Sequence, residues 1–351
     1  MANYKNLHGA KRNKRDEFYT LLSDIENEIK HYANYYFQDK IVLCNCNDGF
    51  SSQFWCYFHT HFKEKGLKKL IGIKYGVTEQ EQGEAHIYSG GADTDIKSCE
   101  VIKLQGRGDF QDAECIKYLE EADVVVTNPP FSLFQTYFGQ LIEYGKKFLI
   151  VGSQNAITYK KVFYQLKNNA VWLGYGFKGN VGFFSNTLYM DYAKSREHKE
   201  GMIRVSGVMW FTNMVHDKIQ EKIELTCKYT PEKYPLYGNY NAIEVSKTSE
   251  IPMDYEGVMG VPITFLTKYN PLQFEIMGIN TGRAEYECRP TKKYINPILH
   301  RKDGTEESGV QANSRSALEV TEGYSGAYYT ADNTDKPFTL TYARIFIRRK
   351  R

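Results

Sequence analysis

The run Ala122-Asp123-Val124-Val125-Val126-Thr127, followed at once by Asn128-Pro129-Pro130-Phe131, limits this chain more than any other stretch. The apolar run reads as a buried strand. Two prolines then stop the ladder, because neither donates a backbone hydrogen bond. The ring of Pro129 also holds Asn128 extended. An amide, two carbonyls and an aromatic ring are thereby fixed at the carboxyl end of a strand, where open α/β sheets bind their ligands.

The chemistry that fits is an amino group conjugated to a flat ring. The Asn128 side-chain oxygen and the Pro129 carbonyl can both accept hydrogen bonds from an NH2, which draws the nitrogen lone pair out of the ring and sharpens it as a nucleophile. Phe131 can stack on the ring face, as aromatics do on flipped bases. Pro-Pro also ends strands with no function attached. The strand before and the helix after favour the functional reading.

Around this point strands and helices alternate. Apolar spacing predicts a helix from about Asp16 to Tyr36, through Phe18, Leu21, Leu22, Ile25 and Ile29. Further helices are expected over Ser51 to Phe62 with Ser51 as cap, Asp112 to Glu121, Ser132 to Tyr144, and Ala156 to Leu166. Strands are expected at Lys40 to Cys44, Leu70 to Ile73, Glu100 to Leu104, Lys147 to Val151 and Gly207 to Phe211, with a polar loop from Thr78 to Asp95. This is the pattern of an α/β fold with a mainly parallel sheet and helices on both faces. From Cys227 the chain turns rich in Tyr, Pro, Asn, Gly and charge. The expected division is therefore 1–225 and 226–351.

At 351 residues and 42% hydrophobic, the chain can bury a sizeable core. Aromatics make up 15%, with 28 Tyr, which suits stacking surfaces. The net charge of +3 says little. Locally, Lys5, Lys11, Arg12, Lys14 and Arg15 at one end and Arg344, Arg348, Arg349, Lys350 and Arg351 at the other can touch phosphates, or can be solvated tails. Seven Cys and no apolar N-terminal segment point to a reducing cytoplasm and no export, and no apolar run is long enough to span a membrane. Cys44 and Cys46 are too close for a zinc knuckle and read as strand residues, so no metal is expected.

The strand ending at Cys44 leads into Asn45-Cys46-Asn47-Asp48-Gly49-Phe50-Ser51-Ser52 and then a helix, the usual place for a nucleotide-like ligand. There is no Gly-x-Gly-x-x-Gly and no Walker lysine, which argues against a dinucleotide or triphosphate. A cofactor without phosphates, such as S-adenosylmethionine, needs an acceptor for its ammonium, and Asn45 or Asp48 can serve. Asp48-Gly49 also suits an ordinary turn. Asp109 can accept from an adenine amino group with Phe110 over its face, or Asp109 can simply cap the helix from Asp112.

Taken in order, these segments resemble an amino-methyltransferase, and more closely the EcoRI-type adenine-specific DNA methyltransferases. Asp16-Glu17-Phe18-Tyr19-Thr20 resembles the motif that contacts the methionine part of the cofactor, Asn45 to Phe54 the cofactor loop, Asp109-Phe110 the adenine-contacting step, and Asn128-Pro129-Pro130-Phe131 the catalytic tetrapeptide. Cys44-Asn45-Cys46-Asn47-Asp48 with Ser52-Gln53-Phe54-Trp55, Trp210-Phe211-Thr212-Asn213 and Tyr342-Ala343-Arg344-Ile345 point to the EcoRI type. The resemblance implies a Rossmann-like S-adenosylmethionine-dependent sheet with an appended C-terminal DNA-recognition region that returns to the core near the C-terminus. It implies methyl transfer to the N6 amine of an adenine flipped from double-stranded DNA, and a cognate restriction endonuclease as a genetic rather than a physical partner. On this reading Asn128, Pro129, Pro130 and Phe131 are catalytic. Phe18, Tyr19, Thr20, Asn45, Asp48, Phe50, Ser52, Tyr75, Asp109 and Phe110 face the cofactor. Trp210 or Phe211 either stacks on the base or belongs to the core. Two departures stand out: the glycine-rich loop is replaced by Asp48 to Ser52, and Lys74-Tyr75 stands where many relatives carry a ribose-binding carboxylate. Arg283, Arg289, Lys292, Lys293, Arg301 and Lys302 are candidates for phosphate contact. The same tetrapeptide also suits RNA or a protein glutamine amide, and the altered loop suits a DNA-binding relative that has lost catalysis.

Overall fold

The computed structural model describes residues 19–91, 95–177, 181–185, 202–280 and 289–350. The basic residues from Lys5 to Arg15, the expected motif residues Asp16, Glu17 and Phe18, and also Arg283 and Arg351, lie outside the described residues. The described chain divides into two compact units. One runs to Leu166 and again from Ala170 to Asp217; the other comprises Lys167–Asn169 and the chain from Lys218 on.

The first unit opens with β1 (Tyr19–Thr20) and α1 (Leu22–Ile29). Of the long helix expected from Asp16 to Tyr36, the described residues hold α1 and a 3-10 turn over Asn34–Tyr36. Tyr19 and Thr20 pair instead with a strand, opposite Ser185 and Phe184, and aromatic and β-branched residues favour that pleated setting. Next come β2 (Ile41–Cys44), α2 (Gln53–Thr60), α3 (Phe62–Lys65), β3 (Lys69–Lys74), β4 (Glu84–Tyr88) and β5 (Glu100–Lys103). They are followed by α4 (Ala113–Glu121), β6 (Val124–Thr127), α5 (Phe134–Glu143), β7 (Lys147–Ser153), α6 (Lys160–Lys167), β8 (Trp172–Leu173), β9 (Val181–Ser185), β10 (Met202–Ser206) and β11 (Val208–Thr212). A 3-10 turn over Gln154–Thr158 takes the first part of the helix expected from Ala156.

An eight-stranded sheet runs β5-β4-β3-β2-β6-β7-β11-β8. Only its centre is parallel: β3 with β2, β2 with β6, and β6 with β7. The flanks are antiparallel, so the sheet is mixed rather than mainly parallel. Part of the reason is β4, which lies inside the expected loop. Its Ala85, His86 and Tyr88 are buried although the surrounding sequence is polar. All four residues of β2 and of β6 are buried, as their unbroken apolar runs require of central strands, whereas β5 is an exposed edge. From β2 the chain moves out to β3 and later returns to lay β6 on the other side of β2. That reversal makes the carboxyl ends of β2 and β6 the topological switch point. β1, β9 and β10 form a separate three-stranded sheet.

The second unit, in which few elements are legible in the sequence, is rich in strands. β12 (Ile243–Glu244), β13 (Met259–Pro262) and β14 (Phe274–Ile279) belong to one sheet, and β15 (Ile298–His300), β16 (Glu306–Ser308), β17 (Ala317–Glu319), β18 (Tyr328–Ala331) and β19 (Thr334–Leu340) make another. The last strand, β20 (Arg344–Arg349), sits between β13 and β14 in the four-stranded order β12-β13-β20-β14. Its Ile345, Phe346 and Ile347 are fully buried.

Candidate active site

The loop from Asn45 to Ser52 is seated on β3. The Asp48 amide donates to the Ile73 carbonyl at 2.6 Å. A Cβ on Gly72 would lie 2.3 Å from the Asp48 carbonyl oxygen, so only glycine permits this approach. Asn47 takes a left-handed turn at φ 61°, which Asn tolerates better than most residues. Its side chain ties two segments to the loop: Nδ2 donates to the Tyr19 hydroxyl at 3.2 Å, and Oδ1 accepts from the Tyr75 amide at 3.1 Å.

Asp48 is buried, and the protein uses its carboxylate. It accepts from the Ser52 hydroxyl at 2.6 Å, the Cys46 amide at 3.1 Å and the Thr127 hydroxyl. Ser52, not Ser51, caps α2, its hydroxyl accepting from the Phe54 amide. Asn45 is buried as well, with Oδ1 taken by the Tyr137 hydroxyl. Its Nδ2 is buried with no hydrogen-bond partner. The end of Asn45 left for a ligand is therefore a donor, which corrects the expectation of an ammonium acceptor. Such an orphan costs about 1–3 kcal/mol, which a ligand acceptor removes. Cys44 is a strand residue as expected, but Cys46 lies in the loop.

The residue before the Asn128–Phe131 tetrapeptide is tied to this loop, and Asn128 is tied to β1. Thr127, the last residue of β6, bonds Asp48, and Asn128 Nδ2 donates to Thr20 Oγ1 at 3.1 Å. Pro130 spends its carbonyl on the Leu133 amide at 2.9 Å, turning the chain towards α5. The expected pair of bare carbonyls is thus reduced by one. Pro129 is buried, and Phe131 is half-buried against the main core.

The remaining candidates are scattered around the same end of the sheet. Tyr75, just past β3, carries the Arg107 guanidinium 4.7 Å from its ring centre. Phe50 stacks on His86 with centroids 4.8 Å apart, and its amide donates to His86 Nδ1 at 3.0 Å. The fully buried His86 turns Nε2 towards Glu84 at 3.3 Å. Burial lowers its pKa below the ordinary 6.5 against the opposing pull of Glu84, which favours the neutral ring that can accept from the Phe50 amide. Asp109 does not cap α4: Oδ1 accepts from the Gln111 amide at 2.9 Å, within the turn. Phe110 is buried edge-on against Tyr137, with centroids 5.0 Å apart, so it is packed into the protein rather than laid open as a cover for a ring.

Trp210 and Phe211 are core residues. Trp210 is 1% exposed and lies flat on Phe177 at 5.6 Å, and Phe211 packs on Phe134 at 5.0 Å. Neither offers a face to a base, which corrects their candidacy for stacking. The sequence reading passed over Asn47, Thr127, Tyr137 and His86. Asn47 before Asp48-Gly49 is a turn signal, and Thr127 is the one polar side chain of β6. Tyr137 and His86 carry no local signal, because their roles depend on what the fold places opposite them.

Residues 6–350 match the family described as adenine-specific methyltransferase EcoRI. The chain belongs to this family. It is 43% identical to the type II methyltransferase M.EcoRI of Escherichia coli, over 81% of this chain and 92% of that one. It is 39% identical to the type II methyltransferases M.MpnI of Mycoplasma pneumoniae, over 82% and 89%, and M.MgeORF184P of Mycoplasma genitalium, over 76% and 84%. No solved structure matches the chain. As a member of the adenine-specific EcoRI methyltransferases, the protein is a methyltransferase, and its mixed α/β sheet accords with that chemistry. Among the described residues no helix is long and apolar enough to cross a membrane.

Proposed function

We propose that the protein transfers a methyl group from S-adenosylmethionine to the exocyclic N6 amine of an adenine flipped out of duplex DNA, at a specific sequence. The observation that carries this reading is the junction at Asp48. One buried carboxylate holds Ser52 at the head of α2 and Thr127 at the end of β6. The loop that would take the cofactor and the strand end that carries Asn128 are thus tied together at the switch point of the mixed sheet.

The residues present suit S-adenosylmethionine. The partnerless nitrogen of Asn45 asks for an acceptor, and the ligand's carboxylate and ribose oxygens are of that kind. Asn45 and Tyr19 would hold its amino-acid end on the loop that Asp48 braces, Tyr75 its ribose side and Asp109 its adenine amine. When bound, S-adenosylmethionine supplies a methyl group already activated by its cationic sulfur. The protein's own task is alignment. Asn128 Oδ1 and the Pro129 carbonyl accept the two amine hydrogens, Phe131 covers the ring, and holding the reactants in line can lower the barrier by about 7–11 kcal/mol.

The second unit would read the DNA, and Arg289, Lys293, Arg301 and Lys302 are exposed there. A restriction endonuclease for the same sequence is the genetic counterpart that this reading implies.

Asn128→Ala should abolish methylation of genomic DNA from a host without adenine methylation, while calorimetric affinity for S-adenosylmethionine stays close to that of the natural chain. Transfer at the normal rate by that variant would remove Asn128 from the mechanism. No detectable cofactor binding by the natural chain, with DNA present, would favour an inactive DNA-binding relative.

A further inference from the structure

Thr20 stands in the segment whose family likeness points to the cofactor, yet its hydroxyl touches the catalytic amide. We propose that Thr20 is a positioning residue for Asn128: it holds the amide nitrogen so that the oxygen turns towards the incoming amine. This rests on the reading of Asn128 as the amine acceptor.

An asparagine that must accept from an amine has one useful end. Its oxygen accepts, whereas its NH2 group only donates and would repel the substrate's own hydrogens. The two ends are nearly alike in shape, so sterics alone do not choose between them. A fixed partner on the nitrogen does. Asn128 Nδ2 donates to Thr20 Oγ1 at 3.1 Å, and this turns Oδ1 to the other side of the Cβ–Cγ axis, within the amide plane.

Three features make Thr20 a firm partner. It is 3% exposed, so water does not compete for its hydroxyl. Its backbone is held in a ladder opposite Phe184, itself fully buried. Its branched Cβ restricts χ1. The adjoining Tyr19 hydroxyl accepts from Asn47 in the cofactor loop. The two residues of β1 therefore strap the loop to the catalytic amide, one side chain on each. A residue far apart in sequence from Asn128 thus sets its direction, and a misplaced reacting group costs far more in rate than in binding.

The test compares Thr20→Val, Thr20→Ala and Thr20→Ser with the natural chain. Single-turnover transfer is followed with tritiated S-adenosylmethionine on genomic DNA lacking N6-methyladenine, and cofactor affinity by calorimetry. Val keeps the shape and removes the hydroxyl. Its transfer rate should fall by about a hundredfold, the scale of a small misplacement at a reacting centre, with cofactor affinity unchanged. Ala should behave alike, and it serves if melting shows the Val variant misfolded. Ser should restore most of the rate. Normal transfer by a folded Val or Ala variant overturns the proposal. So does a loss of cofactor affinity that matches the loss of rate, which would make Thr20 a cofactor contact, and so does a Ser variant as slow as Val. Absence of N6-methyladenine with the natural chain would instead strike the underlying function.

Discussion

Asn47 shows how much a single side chain does at this site. Its backbone turns left-handed, and its amide holds Tyr19 on one side and the Tyr75 amide on the other. Asn47→Gly keeps the turn but loses both bonds. Affinity for S-adenosylmethionine, measured by calorimetry, should weaken about tenfold, the worth of roughly one net hydrogen bond. Asn47→Val would add backbone strain of about 1–3 kcal/mol to the same loss, visible as a lower urea midpoint. The residues that the sequence exposes best are those with unusual covalent character, such as Asn128 between a strand and two prolines. Asp48 is also visible, but as a ligand acceptor. Only the fold shows its carboxylate engaged by Ser52, Cys46 and Thr127.

At the scale of elements, long apolar runs were legible and polar strands were not. β2, β6 and β7 stand where periodicity places them, because a strand buried on both faces must be apolar throughout. β4 was hidden, since its centre is a histidine, a Glu/Gln-rich stretch precedes it and Ser-Gly-Gly follows it. It carries the ring that supports Phe50, and that ring gives a pH signature. Burial lowers the His86 pKa beneath 6.5, so the unfolded chain takes up this proton at a higher pH than the folded one. The stability it contributes is whole above about 6.5 and is lost as the pH falls through the lowered folded value. Urea denaturation of His86→Gln across that range should show a flatter acid limb than that of the natural chain. An unchanged slope would place the acid sensitivity elsewhere. β1 was likewise misread as helix, because two residues make no period of their own and their partner strand begins at Val181.

At the scale of the whole molecule, the second unit holds its only deeply buried ion pair among the described residues between Glu244 and Arg344, 2.7 Å apart. Burial works against the Arg344 charge, but hydrogen bonding and attraction from Glu244 outweigh it and raise its pKa. That arginine is therefore spent on structure and is no candidate for phosphate, unlike the exposed Lys302. If Lys302 meets a phosphate, Lys302→Ala should reduce the slope of log affinity against log salt by about 1 while weakening all DNA sequences alike. Fluorescence anisotropy at several salt concentrations checks this, and an unchanged slope would exclude the contact.

The amino-acid sequence by itself determined the central strands, the stiff Asn128–Phe131 tetrapeptide and the family, because each is written in contiguous residues or their order. The tertiary structure alone decided which side chains remain available to a ligand. Trp210 and Phe211 were given to the core, Asp48 to Thr127 and Ser52, and Asn128 a partner in Thr20. Those outcomes depend on residues brought together from distant parts of the chain, since a hydrogen bond or a buried face is a property of two surfaces and no local pattern contains the second one.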